Sequence, residues 1–396
     1  MVGGSASDRP YRSVREVRVV RGFVLLPAIG ALATAIIAGP ALAQGVDEPT
    51  AIVSLGDSYL SGEGSRWRGN STSQFGDQAG TDRAYRGPLD FDVESIYVDG
   101  TYDSGCHRAD LAPIHRTYIG VDHKINLACA GARTEHVIGA ADGGRAYRGE
   151  APQADQLDTV AAGHDVELVV LSIGGNDLGF TDIIIDCTVA YTTSFLWWQS
   201  KCAANEQAEV DAAIDDAMVG VVAALDEIRA VLDENDDGDA RVVLLSYPSP
   251  VPRGDEIRYG TNFSRTFIGG CPFWRSDATW ARDSLVPQIA AELRVAADAA
   301  GAEFLDLQDL LEGREICAET AEHSDGTPTD HTDEWARFLR TGLLLGDAEE
   351  SLHPNYFGQR AIGRCIELVA RAEPGGEWSC TNRPGQGARS LDLTPL

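Results

Sequence analysis

Along the chain, short apolar runs alternate with stretches of helical periodicity. Ala51-Ile-Val-Ser-Leu55 is the first run, and it ends at Gly56-Asp57-Ser58. A few apolar residues closed by turn formers read as a buried strand. Ile125-Asn-Leu-Ala-Cys129, Val166-Glu-Leu-Val-Val-Leu-Ser172, Arg241-Val-Val-Leu-Leu-Ser246 and Ala302-Glu-Phe-Leu-Asp306 repeat that pattern. Residues 205–233 place Val210, Ala213, Met218, Val221, Leu225 and Ile228 at helical spacing, which predicts a helix with one buried stripe. Residues 279–300 and 355–372 are amphipathic in the same way, the second opened by His353-Pro354-Asn355. Residues 65–105 hold many Gly, Asp, Ser, Thr and Arg residues and read as a long surface excursion.

Strands alternating with helices predict an α/β fold, a five-stranded parallel sheet with helices on both faces. In such sheets the functional loops gather at the carboxyl ends of the strands. Gly56-Asp57-Ser58, Ala130-Gly131-Ala132 and Gly174-Gly175-Asn176-Asp177 each follow a strand directly. Ser58, Gly131 and Asn176 therefore fall at one edge of the sheet. No fixed-period repeat interrupts this order.

Charge narrows the partners. The 396 residues carry 32 Lys+Arg against 61 Asp+Glu, a formal net charge of -29, which opposes binding to a phosphate backbone, so no nucleic-acid partner is expected. Arg9, Arg12, Arg15, Arg18 and Arg21 precede an apolar run from Phe23 to Ala43 that closes in Ala41-Leu42-Ala43. That order predicts a secretory signal peptide over 1–43, cut near Ala43, and an extracellular mature chain over 44–396. The eight cysteines are an even number, as in exported proteins with disulfides. Their order suggests neighbours: Cys106 with Cys129, Cys187 with Cys202, Cys271 with Cys317, and Cys365 with Cys380. Eight cysteines allow 105 pairings, so the connectivity stays open. None has C-x-x-C spacing, and no metal site is expected.

Three segments carry candidate chemistry. Ser58 lies in Gly56-Asp57-Ser58-Tyr59-Leu60-Ser61-Gly62-Glu63-Gly64, where a strand-to-helix turn presents a hydroxyl that a base can activate. The same residues are also those of an ordinary helix cap. His353 sits in a His-Pro-Asn turn; a neutral imidazole suits a general base near neutral pH. Gly131 and Asn176, with the Ser58 N–H, offer donors for an oxyanion. Asp233-Glu-Asn235-Asp-Asp237-Gly238-Asp239 resembles the start of a calcium loop, but Leu244 stands where its last carboxylate belongs. It reads as a helix-to-strand connection. Phe195-Leu196-Trp197-Trp198 is either a lipid-contacting patch or a satellite core.

Gly-Asp-Ser-Tyr at 56–59, Gly131, Gly-Gly-Asn-Asp at 174–177 and His353 follow the order of the four blocks of the GDSL/SGNH hydrolase family. Gly-Asp-Ser-Tyr-Leu-Ser-Gly-Glu-Gly and Ser351-Leu-His-Pro-Asn355 resemble its actinobacterial secreted branch, and the match spans about residues 50 to 370. The resemblance implies a flavodoxin-like sheet, Ser58 as nucleophile, His353 as base, and Ser58, Gly131 and Asn176 as oxyanion hole. Many members carry Asp three residues before the histidine; here Glu350 stands there. Either Glu350 or a backbone carbonyl then orients the ring. The function implied is a secreted serine esterase or lipase acting on a small-molecule or lipid ester. It would need no cofactor, act as a monomer and touch lipid surfaces transiently. The alternatives are a carbohydrate or cell-wall O-deacetylase and an inert secreted binding protein.

Overall fold

A computed structural model describes residues 48–71, 80–194, 199–261, 263–324, 326–340 and 346–396. Residues 47–396 form one compact unit. The expected signal peptide and the Phe195–Trp198 segment lie outside the described residues.

The sheet has seven strands where five were expected. In chain order they are β1 Thr50–Gly56, β2 His123–Asn126, β3 Asp165–Ser172, β4 Arg241–Leu245, β5 Glu303–Asp306, β6 Glu377–Asn382 and β7 Leu391–Pro395. They lie side by side in the order β2-β1-β3-β4-β5-β6-β7. All pairs are parallel except β6 with β7. The first five form the flavodoxin-like order, which reverses beside β1. The two added strands follow the last helix. Their side chains are mostly half-buried, so they lack the continuous apolar run that marks a central parallel strand. In β1, by contrast, Ala51, Ile52, Val53 and Leu55 are all 0% exposed, because both faces are covered.

The helices relevant to the site are α1 Ser58–Ser61, α2 Gln153–Ala161, α3 Phe180–Thr192, α4 Ala203–Glu234, α5 Arg275–Trp280, α6 Val286–Ala299 and α7 Tyr356–Ala370. The expected helix over 279–300 begins earlier and passes through a π-turn at Ala281–Leu285. Asn355 caps α7: its Oδ1 accepts from the N–H groups of Phe357 and Gly358, and its Nδ2 donates to Glu334 O at 2.7 Å. Phe357, Ala361, Ile362, Cys365, Ile366 and Val369 then form the buried stripe. Full burial of each large member contributes about 1.5–3 kcal/mol. Cap and stripe together fix where His353, two residues before the cap, leaves the helix.

All eight cysteines are paired, as Cys106–Cys129, Cys187–Cys202, Cys271–Cys317 and Cys365–Cys380. Two of them join elements directly: Cys187–Cys202 ties α3 to the start of α4, and Cys365–Cys380 ties α7 to β6.

The stretch after α1 is a surface excursion only in part: Arg86, Pro88, Leu89, Asp90, Glu94, Ser95, Asp99 and Gly100 are exposed, but other residues are not. Arg66, Trp67, Asn70, Asp82 and Tyr97 are buried. Of these, Arg66, Trp67 and Tyr97 surround Glu350, which is itself 0% exposed. The Glu350 carboxylate accepts from Trp67 Nε1 at 2.7 Å, Tyr97 OH at 2.7 Å and Asp347 N at 3.1 Å. Arg66, paired with Asp82 at 2.7 Å, lies 4.0 Å away. Polar composition misled here because the polar groups satisfy one another inside the protein. This network ties the stretch to the turn that carries His353. Glu350→Gln replaces one acceptor oxygen with an amide N–H2 facing donors. Denaturant unfolding should show a loss of about 1–3 kcal/mol, the cost of a buried group left unsatisfied. Unchanged stability would show that the network is not under this constraint.

Candidate active site

The turn after β1 is built around Gly56. Its φ is +123°, and a Cβ there would stand 2.0 Å from Ser172 O, so only glycine fits between β1 and β3. Gln153 holds the same residue through two hydrogen bonds, Gly56 N to Oε1 at 2.6 Å and Nε2 to Gly56 O at 2.8 Å. Asp57 caps α1, its Oδ1 accepting from Tyr59 N at 3.0 Å. Its Oδ2 accepts from Tyr247 OH at 2.5 Å. Burial pushes the Asp57 carboxyl up to about 7, with the Tyr247 hydrogen bond opposing. Ser58 is thereby fixed as the first residue of α1.

His353 reaches Ser58 from the other end of the fold. Its Nε2 lies 2.7 Å from Ser58 Oγ, and its Nδ1 lies 3.1 Å from Ser351 O. The backbone carbonyl, not the Glu350 carboxylate, therefore partners the second ring nitrogen. The turn is held rigidly: Leu352 has φ +63°, Leu352 N donates to Arg337 O, and Arg337 N donates to His353 O, both at 2.8 Å. A Cβ at Gly64 would come within 3.2 Å of His353 Cβ, so the last glycine of the Gly62-Glu63-Gly64 run lets the two segments touch. Burial lowers the His353 pKa to about 4, while its backbone acceptors oppose that shift. The imidazole is neutral at neutral pH, with a proton on Nδ1 for Ser351 O and a lone pair on Nε2.

Ser58, His353, Gly131 and Asn176 line one cavity of about 530 Å³. The Gly131 turn is tied back by Cys106–Cys129 and by Cys129 N donating to Gly56 O at 3.0 Å. Asn176 Nδ2 donates to Ala132 O at 2.9 Å, which leaves its second N–H for another acceptor. Asp177 holds the neighbouring Thr134 through its hydroxyl at 2.8 Å. All four residues singled out in the sequence thus meet. Phe180, Ile184, Ile185, Val189 and Leu352 give the cavity an apolar wall. Phe180, Ile184 and Leu352 also line a smaller cavity of about 50 Å³ behind it.

Four contributors carried no signal strong enough to assign from sequence. Gln153 and Tyr247 act through contacts 97 and 190 residues away. Glu63 and His107 form a pair, Oε2 to Nδ1 at 2.7 Å, that also lines the cavity. Glu63 lies inside the serine motif, and His107 follows Cys106; only the fold joins them. Among the described residues no group of His, Cys, Asp and Glu could hold a metal ion, and the Asp233–Asp239 segment connects α4 to β4.

Residues 54–361 match the model of the GDSL-like lipase/acylhydrolase family. Lipase 1 of Streptomyces coelicolor is 29% identical over 352 residues, covering 87% of this chain and 96% of that protein. Among solved structures, the extracellular lipase of Streptomyces rimosus aligns with 82% of this chain and 100% of its own at 23% identity, with a TM-score of 0.45. A putative arylesterase from Agrobacterium tumefaciens aligns with 81% of this chain and 98% of its own at 13% identity, with a TM-score of 0.30. With the family model spanning most of its length, this chain belongs to the GDSL-like lipase/acylhydrolase family and is a carboxylic ester hydrolase.

Proposed function

We propose that the protein is a secreted serine esterase or lipase that works through an acyl-enzyme, with Ser58 as nucleophile and His353 as general base. The observation that carries this reading is the 2.7 Å hydrogen bond from Ser58 Oγ to His353 Nε2 inside the cavity. Ser58 Oγ attacks the ester carbonyl carbon as its proton passes to Nε2. The imidazolium keeps its Nδ1–H on Ser351 O. The carbonyl oxygen gains negative charge and receives the N–H groups of Ser58 and Gly131 and the second Nδ2–H of Asn176. Collapse expels the alcohol, which takes the proton from His353. Water then repeats the cycle on the acyl-serine.

The apolar wall favours acyl groups longer than acetyl, which supports an esterase or lipase over an O-deacetylase. Four disulfides and the leader-like N-terminal sequence support export, with cleavage near Ala43.

Ser58→Ala should lower the hydrolysis of p-nitrophenyl esters by several orders of magnitude and abolish labelling by an organophosphonate. Retained turnover in the folded variant would sink the assignment. The acid limb of kcat/KM reports the base in the free enzyme. Because burial holds His353 neutral down to about 4, activity should persist as pH falls through 6.5 and fail only well below it. A limb centred at or above 6.5 would contradict His353 as the buried base.

A further inference from the structure

Besides its apolar residues, the cavity is lined by Glu63, His107 and Arg148. Four constraints hold the His107 imidazole. Cys106, its neighbour, is bonded to Cys129 at the base of the Gly131 turn. Its backbone sits at φ +50°, a left-handed conformation that a non-glycine residue keeps only where the surroundings impose it. Its ring stacks on Tyr97 and Tyr102 at 4.9 and 5.4 Å. Its Nδ1 lies 2.7 Å from Oε2 of Glu63, a carboxylate only 1% exposed. Nε2 bonds to no described residue, and the ring lines the cavity that holds Ser58 and His353.

Resting on the ester-hydrolase reading, we infer that the Glu63–His107 pair is the alcohol-side subsite, where His107 Nε2–H donates to a hydroxyl oxygen of a polyol leaving group such as glycerol. The acyl chain takes the apolar wall and its rear cavity, so the alcohol lies toward the polar residues. While the pair holds its extra proton, as carboxylate with imidazolium or carboxylic acid with neutral imidazole, Nε2 carries a hydrogen; with that proton lost, Nδ1–H stays on the carboxylate and Nε2 accepts from the same hydroxyl. Burial raises the Glu63 carboxyl to about 7, and the hydrogen bond to Glu63 raises His107 against its own desolvation. Arg148, whose guanidinium lies against Gly105, lines the same cavity and adds a second donor. His353 has a different task, because its Nε2 is already engaged with Ser58.

The test compares glycerol monobutyrate with ethyl butyrate, which share an acyl group and differ in hydroxyls on the alcohol. His107→Ala and His107→Gln, the latter still offering Glu63 an amide N–H, should each lower the ratio of the two kcat/KM values at least fivefold, as loss of one such hydrogen bond implies. Melting and phosphonate labelling at Ser58 report whether each variant is folded. An unchanged ratio in a folded variant overturns the subsite. If the wild-type protein hydrolyses neither ester, the ester-hydrolase reading fails instead. A second measurement needs no change at His107: a non-hydrolysable glycerol butyl ether added to Ser58→Ala protein should shift the ¹⁵N-histidine signals of His107. No shift at a saturating concentration overturns the proposal.

Discussion

The site depends on one hydrogen bond between residues 295 positions apart, Ser58 Oγ to His353 Nε2. Such a bond is useful only if neither partner can turn away. A hydroxyl at the start of a four-residue helix has little to fix it. Gly56, squeezed against Ser172 O and clamped by Gln153, and Asp57, capped onto Tyr59 and held by Tyr247, fix it from below. The ring of His353 has one rotatable degree that matters, and Ser351 O takes its other nitrogen. A neutral carbonyl orients the ring without adding a second buried charge. That suits an imidazole already driven toward its neutral form by burial.

The buried charge sits one step further out. Glu350 binds Trp67 and Tyr97 and so joins the polar stretch after α1 to the turn of His353. Breaking such a network leaves groups uncompensated inside the protein, which is costlier than the net value of any single bond in it. Trp67 and Tyr97 of that stretch therefore buttress the turn that carries His353. His107, stacked on Tyr97 and Tyr102, belongs to the same packing. Tyr97 thus serves both the Glu350 network and the packing of His107.

Much of this could be read in the sequence because the signals are local. Continuous apolar runs marked β1, β3, β4 and β5, and glycine-rich turns marked Ser58, Gly131 and Asn176; β2 was expected over 125–129 but lies at His123–Asn126, a half-exposed edge strand. The two outer strands were missed because β6 and β7 are only half-buried and mixed in composition. The packed part of 65–105 was missed for the opposite reason: Arg66 and Asp82 are buried but paired with each other. Glu350 lay where an orienting acid would stand. Its side chain faces two aromatic donors instead, which only the fold could disclose. Glu63 and His107 lie 44 residues apart, beyond any local pattern.

If His353 is a neutral base held by a backbone carbonyl, the tautomer of its ring decides the matter, read by ¹⁵N–¹H correlation on histidine-labelled protein at neutral pH. The expected spectrum is that of a neutral ring with its proton on Nδ1 and an unprotonated Nε2 that accepts from Ser58. A ring protonated on Nε2 alone, or on both nitrogens, would contradict it.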